Sequence, residues 1–326
     1  MLGLDAWDRD GHGPMIADPP GQPRYGCRVR ARRLGPLEVS VVGLGCNNFG
    51  RRVDEAGTRA VVDAALDVGV TFFDTADRYG GPGESERLLG NVLRGRRDRV
   101  VLATKFGMTM GDGVERRGTR EYMRHSIEGS LRRLQTDHVD LYQHHEEDPG
   151  TPLEETFAAL DELVDEGKIL AYGTSNYRPE TLERARSVAG RAYVSEQSEY
   201  SWLDRRAEAE LLPTCERLGL GFIPHSPIGS GLLTGKIRRD RPPAEGTRLY
   251  GHDISDKDLE VAERLAAWAE AHGVSLLELA IGGLAAVSPV ATVIPGATKP
   301  EQVRANAAAG EWVPTEEELD ELRAVA

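Results

Sequence analysis

Short apolar runs rich in β-branched and aromatic residues alternate with longer amphipathic stretches over most of the 326-residue sequence. The apolar runs predict strands at residues 41–45, 71–74, 100–105, 139–144, 170–174, 193–197, 221–225 and 292–295. The amphipathic stretches predict helices, among them residues 55–68, 84–93, 120–134, 153–166, 180–188 and 205–218. Continuous apolar strands that alternate with helices are typical of a parallel sheet covered by helices.

Closing these strands into a ring gives the predicted fold, an α/β (β/α)8 TIM barrel that residues 26–326 form as a single domain. A β-hairpin around Gly35 precedes the barrel, residues 236–256 form an insertion after the seventh strand, and an extra C-terminal helix follows Thr315. Residues 1–25 are rich in Pro, Gly and Asp and predict a flexible N-terminal arm. A doubly wound open sheet is the alternative, but "GLGCNNFG" does not fit the GxGxxG spacing of that fold.

The charge balance restricts the partners of the chain. The formal net charge is −13, which argues against nucleic acid or an anionic membrane, because their phosphates would repel the average surface. The most apolar region, residues 276–296, is interrupted by Glu278 and Pro289 and predicts a buried helix and strand rather than a membrane span. We therefore expect a small-molecule partner.

The cysteines and the N-terminus bear on localisation. The three cysteines, Cys27, Cys46 and Cys215, are far apart and form no CxxC pair, so the sequence predicts neither a disulfide framework nor a zinc site. The N-terminus is acidic and lacks a long apolar core, which is not the pattern of a signal peptide. A reducing, cytoplasmic location is the simplest expectation.

The barrel prediction brings four side chains of catalytic type to one rim, because the carboxyl ends of all strands share that face. They are Asp74 after the second strand, Tyr79 in the next loop, Lys105 after the third strand and His145 after the fourth. A lysine beside a phenol stabilises the phenolate and lowers the tyrosine pKa from about 10. An aspartate keeps the ammonium charged, and a histidine can orient a substrate oxygen. The set predicts a general acid, with an ordinary structural Asp–Lys pair as the alternative.

Two adjacent histidines, His144 and His145, precede the acidic residues Glu146, Glu147 and Asp148. Neighbouring strand residues point to opposite faces, so only one of the two histidines can face the rim. A metal site built from this cluster is an alternative, but acidic residues in a loop are usually solvated. We expect no metal.

The sequence resembles the aldo-keto reductase family in seven fragments that occur in the family's order. The fragments are "FFDTADRYG", "ATKFG", "DLYQHH", "YGTSN", "SEQSEYS", "HSPIGSGLLTGK" and "IPGATKPEQVRAN". Together with the preceding hairpin they span residues 34–306, nearly the whole chain apart from the N-terminal arm. The resemblance implies a (β/α)8 barrel that reduces carbonyl compounds with a nicotinamide cofactor.

The resemblance also implies a role for each of the rim residues. Tyr79 would be the general acid, Lys105 the partner that adjusts its pKa, and Asp74 the anchor of that lysine. By the family's spacing, His145 would orient the carbonyl, whereas His144 would pack outward.

The resemblance also implies which residues, at the ends of several predicted strands, contact the nicotinamide end of the cofactor. In the family, the positions of Ser175, Asn176 and Gln197 hold the carboxamide, although the serine and asparagine could equally cap a turn. Further implied cofactor contacts are Gly45, Asn47, Ile228 and Gly296. His225 departs from the family, which usually has tyrosine at this position, and its imidazole is expected to titrate near neutral pH.

Small residues after the seventh strand predict a pyrophosphate site. Backbone amides around Ser226 and Gly231 can approach a phosphate closely, and Lys236 adds positive charge nearby. Phosphate binding after strands seven and eight is a recurrent use of this fold.

The start of the last barrel helix predicts a second phosphate site. Thr298 and Lys299 precede a helix that opens at Pro300, and a helix N-terminus with a lysine suits an anion. In the family, this position holds the adenosine 2′-phosphate, with Gln302 and Asn306 near the adenine. The sequence therefore favours NADP(H) over NAD(H).

The remaining rim residues predict a substrate pocket walled by Phe106, Met108, Trp202 and parts of the insertion at residues 236–256. The predicted reaction converts an aldehyde or ketone to an alcohol, or the reverse. One alternative is a non-catalytic NADPH-binding sensor or channel-associated subunit on the same barrel. Another is a metal-dependent hydrolase or lyase that uses the His–Glu–Asp cluster.

Overall fold

A computed structural model describes residues 29–109 and 113–326 of the protein. The predicted N-terminal arm at residues 1–25 lies outside the described residues. The strands are β1 Ala31–Leu34, β2 Leu37–Ser40, β3 Leu44–Gly45, β4 Phe72–Asp74, β5 Val101–Phe106, β6 Val139–His144, β7 Ile169–Ser175, β8 Tyr193–Glu199 and β9 Gly221–His225. The helices are α1 Glu55–Asp67, α2 Glu84–Leu93, α3 Arg120–Leu134, α4 Leu153–Asp165, α5 Pro179–Val188, α6 Leu211–Leu218, α7 Asp256–Ala271, α8 Leu276–Ala285, α9 Pro300–Ala309 and α10 Glu316–Val325.

The central sheet is a parallel barrel whose strands follow one another in sequence order, from β3 to β9. The ring closes through the segment predicted as the eighth strand. Val293 bridges Val42 on one side, and Val290 bridges Phe222 on the other. Pro295 has no N–H to donate, and the segment forms isolated bridges instead of a continuous ladder. The predicted (β/α)8 barrel is confirmed, with its last strand reduced to these bridges.

An antiparallel hairpin of β1 and β2 closes the end of the barrel opposite the catalytic rim. Leu34, Leu37 and Val39 are buried in one apolar cluster with inward side chains of the barrel strands, such as Val194. Gly35 turns the hairpin with a φ of +58°, and a Cβ there would collide with Val194. The hairpin is therefore the floor of the barrel and fills its interior from below.

The helical prediction for residues 205–218 is wrong in its first half. This stretch contains a 3₁₀ turn at Arg206–Glu208 and a short helix, α6, that begins at Leu211. Pro213 lies in the first turn of α6, where its missing N–H costs least, so the helix begins just before the proline.

The last third of the chain agrees with its predicted elements. The insertion at residues 236–256 has no helix before α7, which Ser255 caps. The apolar region from residue 276 folds as the buried helix α8. The extra C-terminal helix, α10, begins after Thr315, which forms a capping box with Glu318. Within the described ranges, no helix is long and apolar enough to cross a membrane.

Candidate active site

The structure brings the four predicted catalytic side chains together at the carboxyl ends of β4, β5 and β6. Lys105 Nζ lies 2.5 Å from Asp74 Oδ2 and 3.4 Å from Tyr79 Oη. The rings of Tyr79 and His145 meet edge to face, with centroids 5.8 Å apart. An ammonium thus connects a carboxylate to a phenol, and an imidazole stands beside that phenol.

The loop between β4 and α2 fixes the position of Tyr79. The tyrosine N–H donates to Ala76, and its carbonyl accepts from the N–H of Ser85. Gly80 has a φ of +77°, and a Cβ at this position would collide with the Phe49 carbonyl. The glycine after the tyrosine is therefore required by the turn, which sets the phenol beside Lys105.

Lys105 is fully buried, and all of its polar contacts are at the catalytic site. Its ammonium donates to Asp74, to Tyr79 and to the Thr75 carbonyl at 3.0 Å. Burial alone would lower the pKa of Lys105, but the Asp74 carboxylate and the Tyr79 phenol raise it above its ordinary value. The lysine therefore stays charged at neutral pH.

The pKa of Tyr79 differs from the prediction made from Lys105 alone. Burial raises the pKa of Tyr79 above its ordinary value, and the lowering by the Lys105 cation does not fully offset this. The phenol consequently holds its proton at neutral pH. Lys105 still favours the phenolate relative to an equally buried tyrosine without a cation, so the site suits a donor that loses its proton only during reaction.

Two glutamines hold the second oxygen of Asp74. Gln143 Nε2 donates to Asp74 Oδ1 at 3.1 Å, and Gln197 Nε2 donates to the same oxygen at 2.9 Å. Gln197 also donates to Gln143 Oε1 at 3.2 Å, so its amide nitrogen is engaged inside the barrel. The sequence predicts that the Gln197 amide binds a carboxamide, but in the structure its nitrogen donates to Asp74 and Gln143 instead.

Gln143 was missed by the sequence reasoning, although a signal was present. It pairs with Lys105 in the register between β5 and β6. Residues in register point to the same face of a sheet, so a polar residue opposite an inward lysine must itself face the interior.

His145 is neutral and His144 points elsewhere. Burial, followed by the cations of Lys105 and Arg78, lowers the pKa of His145 well below its ordinary value. The Nδ1 atom of His145 is buried without a hydrogen-bond partner in the structure. His144 stacks on Phe106 with ring centroids 4.9 Å apart and is hydrogen-bonded through Nδ1 to Tyr177 Oη at 2.7 Å. The outward packing predicted for His144 is therefore correct.

The acidic run after the histidines takes part in loop structure. Asp148 accepts hydrogen bonds from the N–H groups of Gly118 and Gly150, and Glu147 accepts from the N–H of Arg178. Among the described residues, no group of three or more His, Cys, Asp or Glu side chains is placed to hold a metal ion.

Two predicted substrate-pocket residues are core residues instead. Phe106 follows Lys105 on β5 and faces the opposite side of the sheet, where it stacks on Tyr142 at 4.7 Å. Trp202 is only 1% exposed, and its Nε1 donates to the Leu279 carbonyl at 3.0 Å. Neither side chain is free to wall a pocket, whereas Met108 is half-buried in the loop after β5.

Asn176 links the end of β7 to both neighbouring histidines. It has a left-handed backbone with a φ of 59°, and its Nδ2 donates to the His145 carbonyl at 3.0 Å and to Ser175 Oγ at 3.1 Å. Its Oδ1 lies 3.2 Å from His225 Nε2. Three residues predicted near the nicotinamide, Ser175, Asn176 and His225, are thus joined in one hydrogen-bonded chain.

A fully buried carboxyl group supports this part of the rim. Glu196 accepts hydrogen bonds from Thr174 Oγ1 at 2.6 Å, from Ser198 Oγ at 2.7 Å and from the Tyr177 N–H at 3.1 Å. Because Tyr177 follows Asn176, the carboxyl group fixes the backbone on which Asn176 stands. Burial raises the pKa of Glu196 to about 8.

His225 does not titrate near neutral pH, contrary to the prediction. Burial is the largest cause that lowers its pKa, to about 4, and the nearby Lys105 cation lowers it further. The ring is therefore neutral at physiological pH. A neutral imidazole can donate from Nε2 to Asn176 Oδ1 while Nδ1 lies 3.3 Å from Ser226 Oγ.

The segment after β9, predicted to bind a pyrophosphate, follows a tight path with several left-handed residues. Ser226, Gly229, Ser230 and Gly231 all have positive φ, at 58°, 53°, 56° and 107°. The N–H groups of Gly229 and Gly231 donate to the carbonyls of Ser226 and Ile228, both at 2.9 Å, so these two donors are engaged in turns within the segment. A Cβ built on Gly231 would meet no atom within 4 Å, so a ligand can approach its backbone. Ile228 and Lys236 flank the segment, half-buried and exposed respectively.

The predicted glycine contacts lie where the barrel closes. Gly45 bridges Gly296, and a Cβ on Gly45 would lie 2.9 Å from the Ile294 carbonyl oxygen. Close backbone packing therefore explains why residue 45 is a glycine, and no bound ligand is needed to explain it. Half-buried Asn47 lies in the loop directly after β3, with its Oδ1 3.6 Å from the Cβ position of Gly296.

The N-terminus of α9 lies after the closing segment. Thr298 donates from its N–H and its hydroxyl to Gln302 Oε1, at 2.7 and 3.1 Å, so Gln302 is engaged in the helix start. Lys299 is exposed at the N-cap position, and Asn306 is buried one turn beyond Gln302. Arg304 is exposed and pairs with Asp67 at 3.4 Å.

A (β/α)8 barrel with Asp, Tyr, Lys and His joined at its catalytic rim defines an oxidoreductase-type site, and sequence comparison agrees. The Aldo/keto reductase family model matches residues 41–326. The chain therefore belongs to the aldo-keto reductase family, which confirms the resemblance and supports an oxidoreductase activity on small molecules.

Individual relatives cover nearly the whole chain. It is 35% identical to a probable voltage-gated potassium channel subunit beta of Oryza sativa subsp. japonica, over 89% of this chain and 93% of that protein. It is 32% identical to probable aldo-keto reductase 1 of Glycine max, over 90% and 88% respectively. The solved structure of aldo-keto reductase AKR11C1 from Bacillus halodurans, holo form, superposes with a TM-score of 0.77 at 35% identity, over 91% of this chain and 96% of that chain.

Proposed function

We propose that the protein is an NADP(H)-dependent oxidoreductase that reduces an aldehyde or ketone to an alcohol, or catalyses the reverse reaction, with Tyr79 as general acid. The observation that carries this proposal is the position of Lys105, 2.5 Å from Asp74 and 3.4 Å from Tyr79. A buried cation held in this way is placed to stabilise negative charge that develops on the phenol.

The proton moves at Tyr79 Oη. As the carbonyl oxygen gains negative charge, the phenol donates its proton to that oxygen, and the Lys105 ammonium stabilises the phenolate. Asp74 keeps the ammonium charged and is itself held by Gln143 and Gln197. In the reverse direction, the phenolate accepts the alcohol proton at the same atom.

His145 orients the carbonyl. Its ring stands edge-on to Tyr79, and its low pKa keeps it neutral, so it offers an N–H without competing as a proton source. A hydrogen bond from a neutral imidazole would direct the carbonyl oxygen toward the phenol.

The side chains and loops after β7, β9 and the closing segment fit a nicotinamide dinucleotide. When bound, this cofactor supplies or accepts the hydride. Ser175 and Asn176 would hold its carboxamide end, the left-handed loop around Gly231 its pyrophosphate, and Thr298 and Lys299 its adenosine phosphate. The ammonium of Lys299, exposed beside the α9 N-terminus, supports NADP(H) over NAD(H).

We also propose a reducing, cytoplasmic location. Cys46 and Cys215 are buried as free thiols, which supports an environment that keeps thiols reduced. The net charge of −13 supports a small-molecule partner instead of nucleic acid.

Titration of the purified protein with NADPH and NADH, followed by tryptophan fluorescence, tests the cofactor assignment before any substrate is known. We expect NADPH to bind more tightly than NADH. Tighter binding of NADH would overturn the phosphate assignment, and no binding of either would overturn the cofactor assignment. Consumption of NADPH with a generic aldehyde then tests the activity.

A non-catalytic NADPH-binding regulatory subunit is the second candidate function. It is favoured by the 35% identity to a probable potassium channel subunit beta from rice. NADPH binding without turnover of any aldehyde, ketone or alcohol would support it. The joined Asp74, Lys105, Tyr79 and His145 side chains favour the enzyme.

A further inference from the structure

Arg78 lies in the rim loop of the candidate active site, directly before Tyr79, and is half-buried. Within residues 29–109 and 113–326, it is the one half-buried lysine or arginine that no hydrogen bond or ion pair holds. Other half-buried arginines have tight contacts, such as Arg97 with Asp140 at 2.6 Å and Arg133 with Glu86 at 2.7 Å.

The adjacent carboxylate does not fill this role. Burial, followed by Glu86, raises the pKa of buried Asp77 to about 7, and Arg133 and Arg117 lower it more than Arg78 does. Partly burying a guanidinium that no hydrogen bond or ion pair holds costs free energy, because lost hydration is not replaced. Within the described ranges, the sequence therefore keeps such a cation at the residue directly before Tyr79.

The Arg78 cation acts on the reaction centre. After burial and Lys105, it is the next cause that lowers the pKa of His145. Arg78 thus adds positive charge to the rim of a chain whose formal net charge is −13.

We infer that Arg78 determines substrate specificity by binding an anionic group, a carboxylate or a phosphate, carried by the carbonyl substrate. A planar guanidinium suits both groups, because it presents paired N–H donors to their oxygens. This inference rests on the proposed function and narrows its substrate class to anionic aldehydes and ketones.

Matched pairs of substrates test the inference with the NADPH-loaded full-length protein. One pair is 4-formylbenzoate and its neutral methyl ester, and the other is glyceraldehyde 3-phosphate and glyceraldehyde. For the wild-type protein, we expect a higher kcat/KM for the anionic member of at least one pair. The pair that shows the larger ratio distinguishes carboxylate from phosphate.

Substitution then assigns the preference to Arg78. In Arg78→Met, we expect the ratio of kcat/KM for the anionic member to that for the neutral member to fall by roughly 10- to 100-fold, the range for one charged hydrogen bond. Arg78→Lys should restore part of the preference. Arg191→Met removes an exposed arginine before β8, at the opposite end of the barrel, and controls for net charge.

Equal losses for the charged and neutral members, or no anion preference in the wild type, would overturn the inference while leaving the proposed function intact. If no substrate is reduced, the proposed function fails instead. Calorimetric binding of 4-formylbenzoate and glyceraldehyde 3-phosphate then still decides the role of Arg78. A loss of affinity in Arg78→Met would support it, and unchanged affinity for both would overturn it.

Discussion

Gln197 donates a hydrogen bond to Asp74 at 2.9 Å, across the barrel interior, and thereby fixes the carboxylate that anchors Lys105. Gln143 donates to the same oxygen at 3.1 Å. Lys105 is therefore held by a network of interior side chains, in which each glutamine restrains the rotation of Asp74. This arrangement separates the proton-transfer apparatus from the cofactor loops.

Replacing Gln143 with leucine should lower kcat by about 10-fold, because Asp74 loses one charged hydrogen bond and Lys105 becomes less well placed. Affinity for NADPH should stay within about 2-fold of wild type. Steady-state kinetics and fluorescence titration measure the two effects. A change confined to NADPH affinity would show that the glutamines serve the cofactor and not the lysine.

Replacing Tyr79 with phenylalanine should reduce turnover by roughly 100-fold or more, the range for removal of a general acid. NADPH binding should persist, since no predicted cofactor contact depends on the phenol. Tyr250→Phe is the matched control, because Tyr250 is 53% exposed in the insertion. Near-normal turnover by Tyr79→Phe would exclude the tyrosine as the acid.

Replacing Lys299 with alanine should weaken NADPH binding by about 1.5–3 kcal/mol and NADH binding much less, because only NADPH has the 2′-phosphate. Lys257→Ala removes another exposed lysine, on α7, and should affect neither cofactor. Fluorescence titrations of both variants with both cofactors make the comparison. Equal weakening of NADPH and NADH binding would show that the 2′-phosphate does not bind at Lys299.

Cofactor affinity should not reflect titration of His225 between pH 6 and pH 8, because its pKa is lowered to about 4. We expect NADPH dissociation constants of wild type and His225→Asn to change in parallel across this window. The measurement is fluorescence titration at several pH values and constant ionic strength. A transition near pH 6.5 in wild type that is absent from His225→Asn would contradict the burial of this ring.

Glu196 should make the free energy of unfolding fall as pH rises. Its folded-state pKa of about 8 is above its ordinary value of 4.5, so the native state holds a proton that the unfolded state releases. Stability is lost between these two values, by at most about 1.4 kcal/mol per pH unit.

Denaturant unfolding of wild type and Glu196→Gln between pH 7 and pH 8.5 tests this effect. The glutamine variant should lose less stability over this range, because its amide does not titrate. Glu199→Gln changes an exposed residue of the same strand and is the control. Identical pH slopes for wild type and Glu196→Gln would show that the carboxyl group is ionised in the folded protein.

The barrel and the convergence of the four candidate catalytic side chains could be predicted because each follows from local sequence. The apolar runs predict the strands. Asp74, Lys105 and His145 each follow the carboxyl end of a predicted strand, which predicts that they share one rim. The amino-acid sequences of the seven fragments and their order along the chain then identify the family.

Properties that depend on three-dimensional packing could not be read in this way. The residue types suggested a titrating His225 and an aromatic pocket wall at Trp202, yet burial keeps the histidine neutral and places the tryptophan in the core. The net pKa of Tyr79 depends on burial as well as on its neighbour Lys105. For Gln143, register with Lys105 was the missing information.

The hairpin of β1 and β2 has a consequence for shortened versions of the protein. A chain that begins after Ser40 would keep every residue of the catalytic rim, but it would lose Leu34, Leu37 and Val39 from the apolar cluster they share with Val194 and its neighbours. Water would then enter the interior from the end that carries no chemistry. Such a truncation should impair folding before it impairs catalysis, so the apparent start of the barrel at Leu44 is not a safe place to cut.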